Sequence, residues 1–235
     1  MKNIENLIAI IGDIHGCYYT LKNIFTKIEL LGINQVYSVG DLIDRGKYSK
    51  KVVQYCIDKS IKPVKGNHED MMVLAIDKPE RKEYLIFGYT NKEMYLFNGC
   101  NKTMLSYIKS EDEEDFDLFA KEIKRTGHFD FLKHLPMKQE VCGIVISHAG
   151  ILKGEPEVKW LWNRDIPSKL EKYQVFGHTS RNECIITDYY ACIDTGCVYG
   201  RKLSAIIIDS TTAKIDRIIS EPIISPDEGY TLFYD

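Results

Sequence analysis

Six residues able to donate to a metal ion fall at five places in the chain, each at the end of a short apolar run: Asp13 and His15, then Asp41, Asn67, His148 and His178. Asp13 and His15 stand at i and i+2, so an extended backbone turns both to one side. Carboxylate and amide oxygen mixed with imidazole nitrogen, with no thiolate, suits Mn, Fe or Zn better than Ca or Mg. Each fragment alone reads as a turn or a satisfied polar residue. Five together, each with a glycine beside it, are hard to build as turns. The glycines let the backbone turn tightly and approach a bound ion. His68 directly follows Asn67, which raises the question whether two ligands crowd one ion or the two side chains have different tasks.

The elements that must position these residues are legible as apolar runs. They are LIAIIG (7–12), QVYSVG (35–40), IKPVKG (61–66), GIVISH (143–148), YQVFGH (173–178), YYACID (189–194) and LSAIIID (203–209). Their length and β-branching predict buried strands. Leu21, Ile24, Phe25, Ile28 and Leu31 recur at helical spacing with Gly32 as a stop, and SKKVVQYCIDKS reads as a second helix with Ser49 as its N-cap. Strand, helix, strand, helix, strand implies βαβ units with parallel pairing, and the ends of such strands converge on one crevice. After His148 the runs follow one another with little helix, so antiparallel pairing is expected there.

Residues 77–135 interrupt this rhythm and read as a helical insertion within a single domain spanning 1–235. Ser110 with Glu113 has the form of a capping box, and Phe116, Phe119, Ala120 and Ile123 recur helically as far as Gly127. The acid run at 111–117 is a helix N-terminus favoured by the dipole. His128 and His134 have no such context and are expected to be structural.

A hydrophobic share of 44% and a charged share of 28% are those of a soluble globular protein. A net charge of −3 gives no basic face for nucleic acid, so a phosphate-bearing substrate must be handled by a metal or a few arginines. Seven cysteines without a CxxC pair suit a reducing compartment. With no signal-like or membrane-spanning run, a cytoplasmic monomer away from membranes is expected.

GDIHG (12–16), GDLIDRG (40–46), GNHE (66–69), HAG (148–150) and GHT (177–179) resemble the signature of the metallophosphoesterases, within them the phosphoprotein phosphatase family and its bacterial and lambda-phage-type serine/threonine phosphatases. FNGCNKTMLSY (97–107), FLKHLP (131–136), WNR (162–164) and IDTG (193–196) extend the likeness from about Ile8 to Gly200. The resemblance implies a calcineurin-like four-layer α/β/β/α sandwich of two mixed sheets and a site for two divalent ions, Mn²⁺ being the expected metal. Asp13 and His15 would bind the first ion, Asp41 would bridge, and Asn67, His148 and His178 would complete the second. His68 would be the general acid for the leaving group, held by Asp44, and Arg45 and Arg164 would grip the phosphate. The substrate expected on this basis is a phosphorylated protein or peptide, hydrolysed by water that the ions activate.

Two other readings stay open. A hydrolase of dinucleoside polyphosphates or RNA caps shares GDxHG and HAG, and DTGC (194–197) resembles that branch. Against it, the diadenosine tetraphosphatase branch usually has Ala at the place of Asp44 and Trp at the place of Thr179, and only thirty residues separate His148 from His178. An inactive binding module is the third reading, and the completeness of the ligand set argues against it.

Overall fold

The first third of the chain alternates strand and helix because its apolar runs alternate with amphipathic stretches. The computed structural model describes residues 6–83 and 88–229. It places β1 at Leu7–Ile11, α1 at Tyr18–Leu30, β2 at Gln35–Ser38, α2 at Ser49–Asp58, β3 at Lys62–Pro63 and α3 at Asn67–Asp77. Four helices follow: α4 (Asn91–Leu96), α5 (Asn101–Ile108), α6 (Phe116–Arg125) and α7 (His128–Lys133). The remainder is mostly strand: β4 (Lys138–Val141), β5 (Ile144–Ser147), β6 (Tyr173–Phe176), β7 (Ile185–Ile186), β8 (Tyr190–Cys192), β9 (Lys202–Asp209) and β10 (Lys214–Pro222).

The strands form two mixed sheets of five, in the orders β10-β9-β1-β2-β3 and β4-β5-β6-β8-β7. In the first, β1, β2 and β3 are parallel, while β9 and β10 run antiparallel to their neighbours. In the second, β5, β6 and β8 are parallel, whereas β4 and β7 are antiparallel edges. The expectation of antiparallel pairing after His148 therefore holds at the sheet margins and fails for the strands that carry the site. Loops with almost no regular helix make the parallel crossovers there.

Alternation along the strands divides the core in two. Ile8, Ile10, Ile206 and Ile208 point from the first sheet toward Ile144, Ile146, Val175 and Ile193 of the second. Ala9, Ile11, Ala205 and Ile207 face the other way, into a cluster with Leu21 and Ile24 of α1, Val52 and Val53 of α2, and Phe119 of α6. Helices thus cover the outside of the first sheet. The segment 149–172, whose only regular element is a 3₁₀ turn at Glu157–Leu161, is tied to the second. Gln174 of β6 fixes it by accepting from the Ile151 N–H at 2.9 Å and donating to the Ser168 carbonyl.

Two capping expectations are corrected. Ser49 is the first residue of α2, with Tyr48 at the cap. Its hydroxyl instead accepts from the Asp44 N–H at 3.2 Å. Ser110 accepts from the Asp112 N–H, and α6 begins only at Phe116, after a 3₁₀ turn at Glu113–Asp115. The capping box of this region is Thr90 with Glu93, at the start of α4. The insertion is helical as expected, with its residues 84–87 outside the described chain. His128 bonds Tyr107 and Gln54, and His134 bonds the Asp130 carbonyl.

Candidate active site

All six proposed ligands lie just beyond the C-terminal ends of parallel strands. Asp13 and His15 follow β1, Asp41 follows β2, Asn67 follows β3, His148 follows β5 and His178 follows β6. The two sheets meet with these ends together. His15, Asp41 and His68 form one compact group of potential donors, and Asp41, His148 and His178 form a second. Asp41 is common to both, the place a bridging carboxylate must occupy. Asp13 stands outside the compact groups, with its carboxylate accepting the His178 N–H at 3.1 Å.

The protonation pattern identifies what these donors face. The Nδ1–H of His148 donates to the Val39 carbonyl at 2.9 Å, and burial lowers this imidazole to about 4. It is therefore neutral near pH 7, and its Nε2 presents a lone pair. That nitrogen lies 2.8 Å from Asn67 Oδ1 and 3.1 Å from His178 Nδ1. His15 repeats the arrangement: Nδ1 donates to the Ile43 carbonyl at 2.8 Å, and burial holds the ring well below its ordinary value. Its Nε2 lies 3.3 Å from Asp41 Oδ2 and accepts from the Arg45 guanidinium at 2.7 Å. In the second group His148 Nε2, Asn67 Oδ1 and His178 Nδ1 crowd within 3.2 Å of one another, an arrangement that a cation at their centre would turn into coordination.

The carboxylates carry the same message. Burial lifts Asp13 well above the usual range, and Asp194 and Asp41 lift it further. Asp41 is pushed up to about 7, mainly by burial. A bound divalent ion reverses that balance. The residues present therefore fit a pair of divalent ions.

Asp194 was missed from the sequence as a site residue. It ends the run YYACID, follows β8 as the others follow their strands, is 5% exposed and lines the same cleft. The signal was an acid directly after an apolar run, inside the stretch IDTG that was used only for the family resemblance.

Backbone strain concentrates here as well. Of nine described non-glycine residues with positive φ, five are His15, Asp41, Asp44, Arg45 and His178. Such conformations persist only where the surroundings impose them. Two glycines show how. A Cβ on Gly46 would overlap the His15 carbonyl, and one on Gly66 would overlap the Asp41 side chain. They let the loops approach one another, beyond any approach to an ion.

Glu69 supplies the rest of the constraint. Its buried carboxylate accepts N–H groups from Gly66 and Asp41 at 2.9 Å, Leu42 at 2.8 Å and Ile43 at 3.3 Å. One side chain thus ties the loop bearing Asn67 to the loop bearing Asp41.

His68 Nδ1 lies 2.7 Å from Asp44 Oδ2, so the pair shares a proton. Burial lowers His68 and raises Asp44. His68 Nε2 is buried without a protein partner. The second Asp44 oxygen accepts from Thr103 at 2.7 Å and from Tyr95 at 3.1 Å. Both partners come from the helical insertion, α4 and α5, whose part in the site was not foreseen.

Arg45, Arg164, Trp162 and Tyr199 line a cleft of about 230 Å³ together with Asp41 and His178. Arg45 stacks over Tyr199 at 5.5 Å, and Arg164 is exposed at the rim. Asn163 beside it is a structural residue, donating to the Gly150 carbonyl at 2.8 Å. Cys17 is buried in the core, and all seven cysteines are unpaired. A larger cavity of about 640 Å³ beside Trp160 and Lys172 holds none of these groups. No helix among the described residues is long and apolar enough to cross a membrane.

Comparison with known proteins agrees with this geometry. The chain is 25% identical over 237 residues to the asymmetrical bis(5′-nucleosyl)-tetraphosphatase of Oceanobacillus iheyensis, an alignment covering 84% of this chain and 87% of the relative. It is 29% identical over 165 residues to serine/threonine-protein phosphatase 2 of Escherichia coli, covering 68% of this chain and 63% of that one. A crystal structure provisionally named a diadenosine tetraphosphatase superposes with a TM-score of 0.67 at 22% identity, covering 94% and 96% of the two chains. The sequence pattern of the calcineurin-like phosphoesterases matches residues 7–182, and the chain belongs to that family.

Proposed function

We propose that the chain hydrolyses dinucleoside polyphosphates, with bis(5′-nucleosyl) tetraphosphates as its substrates. This reverses the preference drawn from the motifs, which put phosphoproteins first. The observation that carries the reading is similarity to a tetraphosphatase over 84% of this chain and 87% of the relative, against 68% and 63% for the protein phosphatase. The cleft supports it: Arg45 and Arg164 can meet phosphoryl oxygens there, and the Trp162 ring on the same wall can contact a nucleobase.

Asp13, His15 and Asp41 would hold one divalent ion, and Asp41, Asn67, His148 and His178 the other. Two such ions, when bound, lower the pKa of water and polarise phosphoryl oxygens. The chain's own residues do the remainder. Arg45 and Arg164 orient the phosphate in line with the attacking oxygen and offset its charge. Asp44, fixed by Thr103 and Tyr95, sets the His68 ring. His68 Nε2 faces the leaving oxygen and delivers a proton as the bond to phosphorus breaks. Asn67 donates a neutral oxygen, so its loop adds no charge opposing the substrate. The tandem is one ligand and one acid.

A second reading, phosphomonoester hydrolysis, is favoured by the intact His68–Asp44 pair at 2.7 Å. Alkoxides leave poorly without a proton, whereas nucleotide phosphates leave more readily. The test is kcat/KM for diadenosine tetraphosphate and for a phosphoserine peptide at the same free Mn²⁺. The tetraphosphate is expected to exceed the peptide by more than about tenfold, and the reverse order would overturn the proposal.

A further inference from the structure

The chain has seven arginines. Arg45 bonds His15, Arg81 pairs with Glu83, Arg125 with Glu122 and Arg217 with Asp216. Arg201 is spent on the Thr195 carbonyl, Asn182 and Ser180. Among the described residues only Arg164 and Arg181 make no hydrogen bond or ion pair through their guanidinium groups. These two line one small cavity of about 70 Å³, adjacent to the metal-ligand cleft. Arg164 lines both spaces.

The backbone after His178 explains the placement. His178 and Ser180 face the cleft, while Thr179 and Arg181 face the neighbouring cavity. The Arg181 N–H donates to the Asp194 carbonyl at 2.9 Å, which fixes the loop segment between the two spaces. The cavity wall also carries apolar side chains in contact with solvent, Ile166 at 73% exposure and Ile185 at 36%. Asp165 is the one carboxylate on that wall.

We infer that Arg181 is a specificity-determining residue that binds the distal phosphates of a polyphosphate chain, with Arg164 as the hinge between the two spaces. This rests on the polyphosphate reading above. A single phosphate at the metal ligands is served by Arg45 and Arg164. A longer chain needs further positive charge along its path, and an unpaired guanidinium fork matches phosphate oxygens bidentately. Ile166 and Ile185 give the attached nucleoside an apolar surface.

Arg181→Ala tests this with the whole protein at fixed free Mn²⁺. The ratio of kcat/KM for diadenosine tetraphosphate to that for p-nitrophenyl phosphate is expected to fall about tenfold, the usual scale of one charge-assisted hydrogen bond. Arg181→Lys should recover part of the loss. As a second readout, tripolyphosphate and orthophosphate are compared as inhibitors of p-nitrophenyl phosphate hydrolysis. The preference for tripolyphosphate should shrink about tenfold in Arg181→Ala. A common factor on both substrates, or an unmoved inhibitor ratio, would overturn the assignment. A wild-type enzyme inert toward diadenosine tetraphosphate would refute the proposed function instead, and the inhibitor ratio would still report on Arg181 alone.

Discussion

His68 is where the chemistry is most exposed to test. Its Nδ1 is committed to Asp44 and its Nε2 has no protein partner, an arrangement that costs stability unless the free nitrogen has a use. His68→Ala should keep its metal content yet lose about 10²–10⁴ in rate, the loss being larger for an alkyl than for an aryl phosphate. Equal losses on the two esters would contradict the leaving-group role. Asp13, His15, Asp41, Asn67, His148 and His178 could be singled out because each ends an apolar run within two residues of a glycine, and the structure brings all six to one crevice. Asp194 was not singled out, because its stretch IDTG entered only through the family resemblance and was assigned no ligand role. Nor were Tyr95 and Thr103, which reach Asp44 from 51 and 59 residues away through tertiary packing that no local pattern encodes.

Between residue and fold, the working element is the pair of loops after β2 and β3, stitched by Glu69. Replacing it with Gln leaves one acceptor oxygen and turns an amide N–H₂ toward backbone donors. Glu69→Gln should therefore cost about 2–4 kcal/mol of stability, several buried N–H groups being left unsatisfied. Its Mn²⁺ affinity should fall as well, since Asp41 and Asn67 lose their common brace. Chemical denaturation with a parallel Mn²⁺ titration checks both, and a variant matching wild type in both would remove Glu69 from this role. At this scale seven of the ten described strands and the first two helices were read from periodicity. Three strands went unread: β4 and β7 are edge strands with exposed residues, and β10 mixes charge into its apolar pattern. The capping box was placed at Ser110 because an apolar periodic run follows it. The true box at Thr90 precedes a helix of only six residues, too short to show a period.

Across the whole molecule, two sheets pack so that six parallel strand ends deliver their loops to one crevice. The calcineurin-like fold was accessible because the motifs occur at those ends in the order the topology requires. Substrate class was less accessible: GDIHG, GNHE and HAG mark the strand ends that carry the candidate ligands, and the chain is similar both to a tetraphosphatase and to a protein phosphatase. The proposed reading puts the distinction between substrates in the rim, where Arg164, Arg181, Trp162 and Tyr199 come from stretches with weak sequence signals.

The central claim is that this scaffold works through a pair of divalent ions. Chelator-stripped protein titrated with Mn²⁺ while p-nitrophenyl phosphate hydrolysis is followed tests it most directly. The arrangement predicts negligible rate at the start and a rise that saturates near two equivalents, since Asp41 belongs to both donor groups. Full activity in the stripped protein before any metal is added would contradict it.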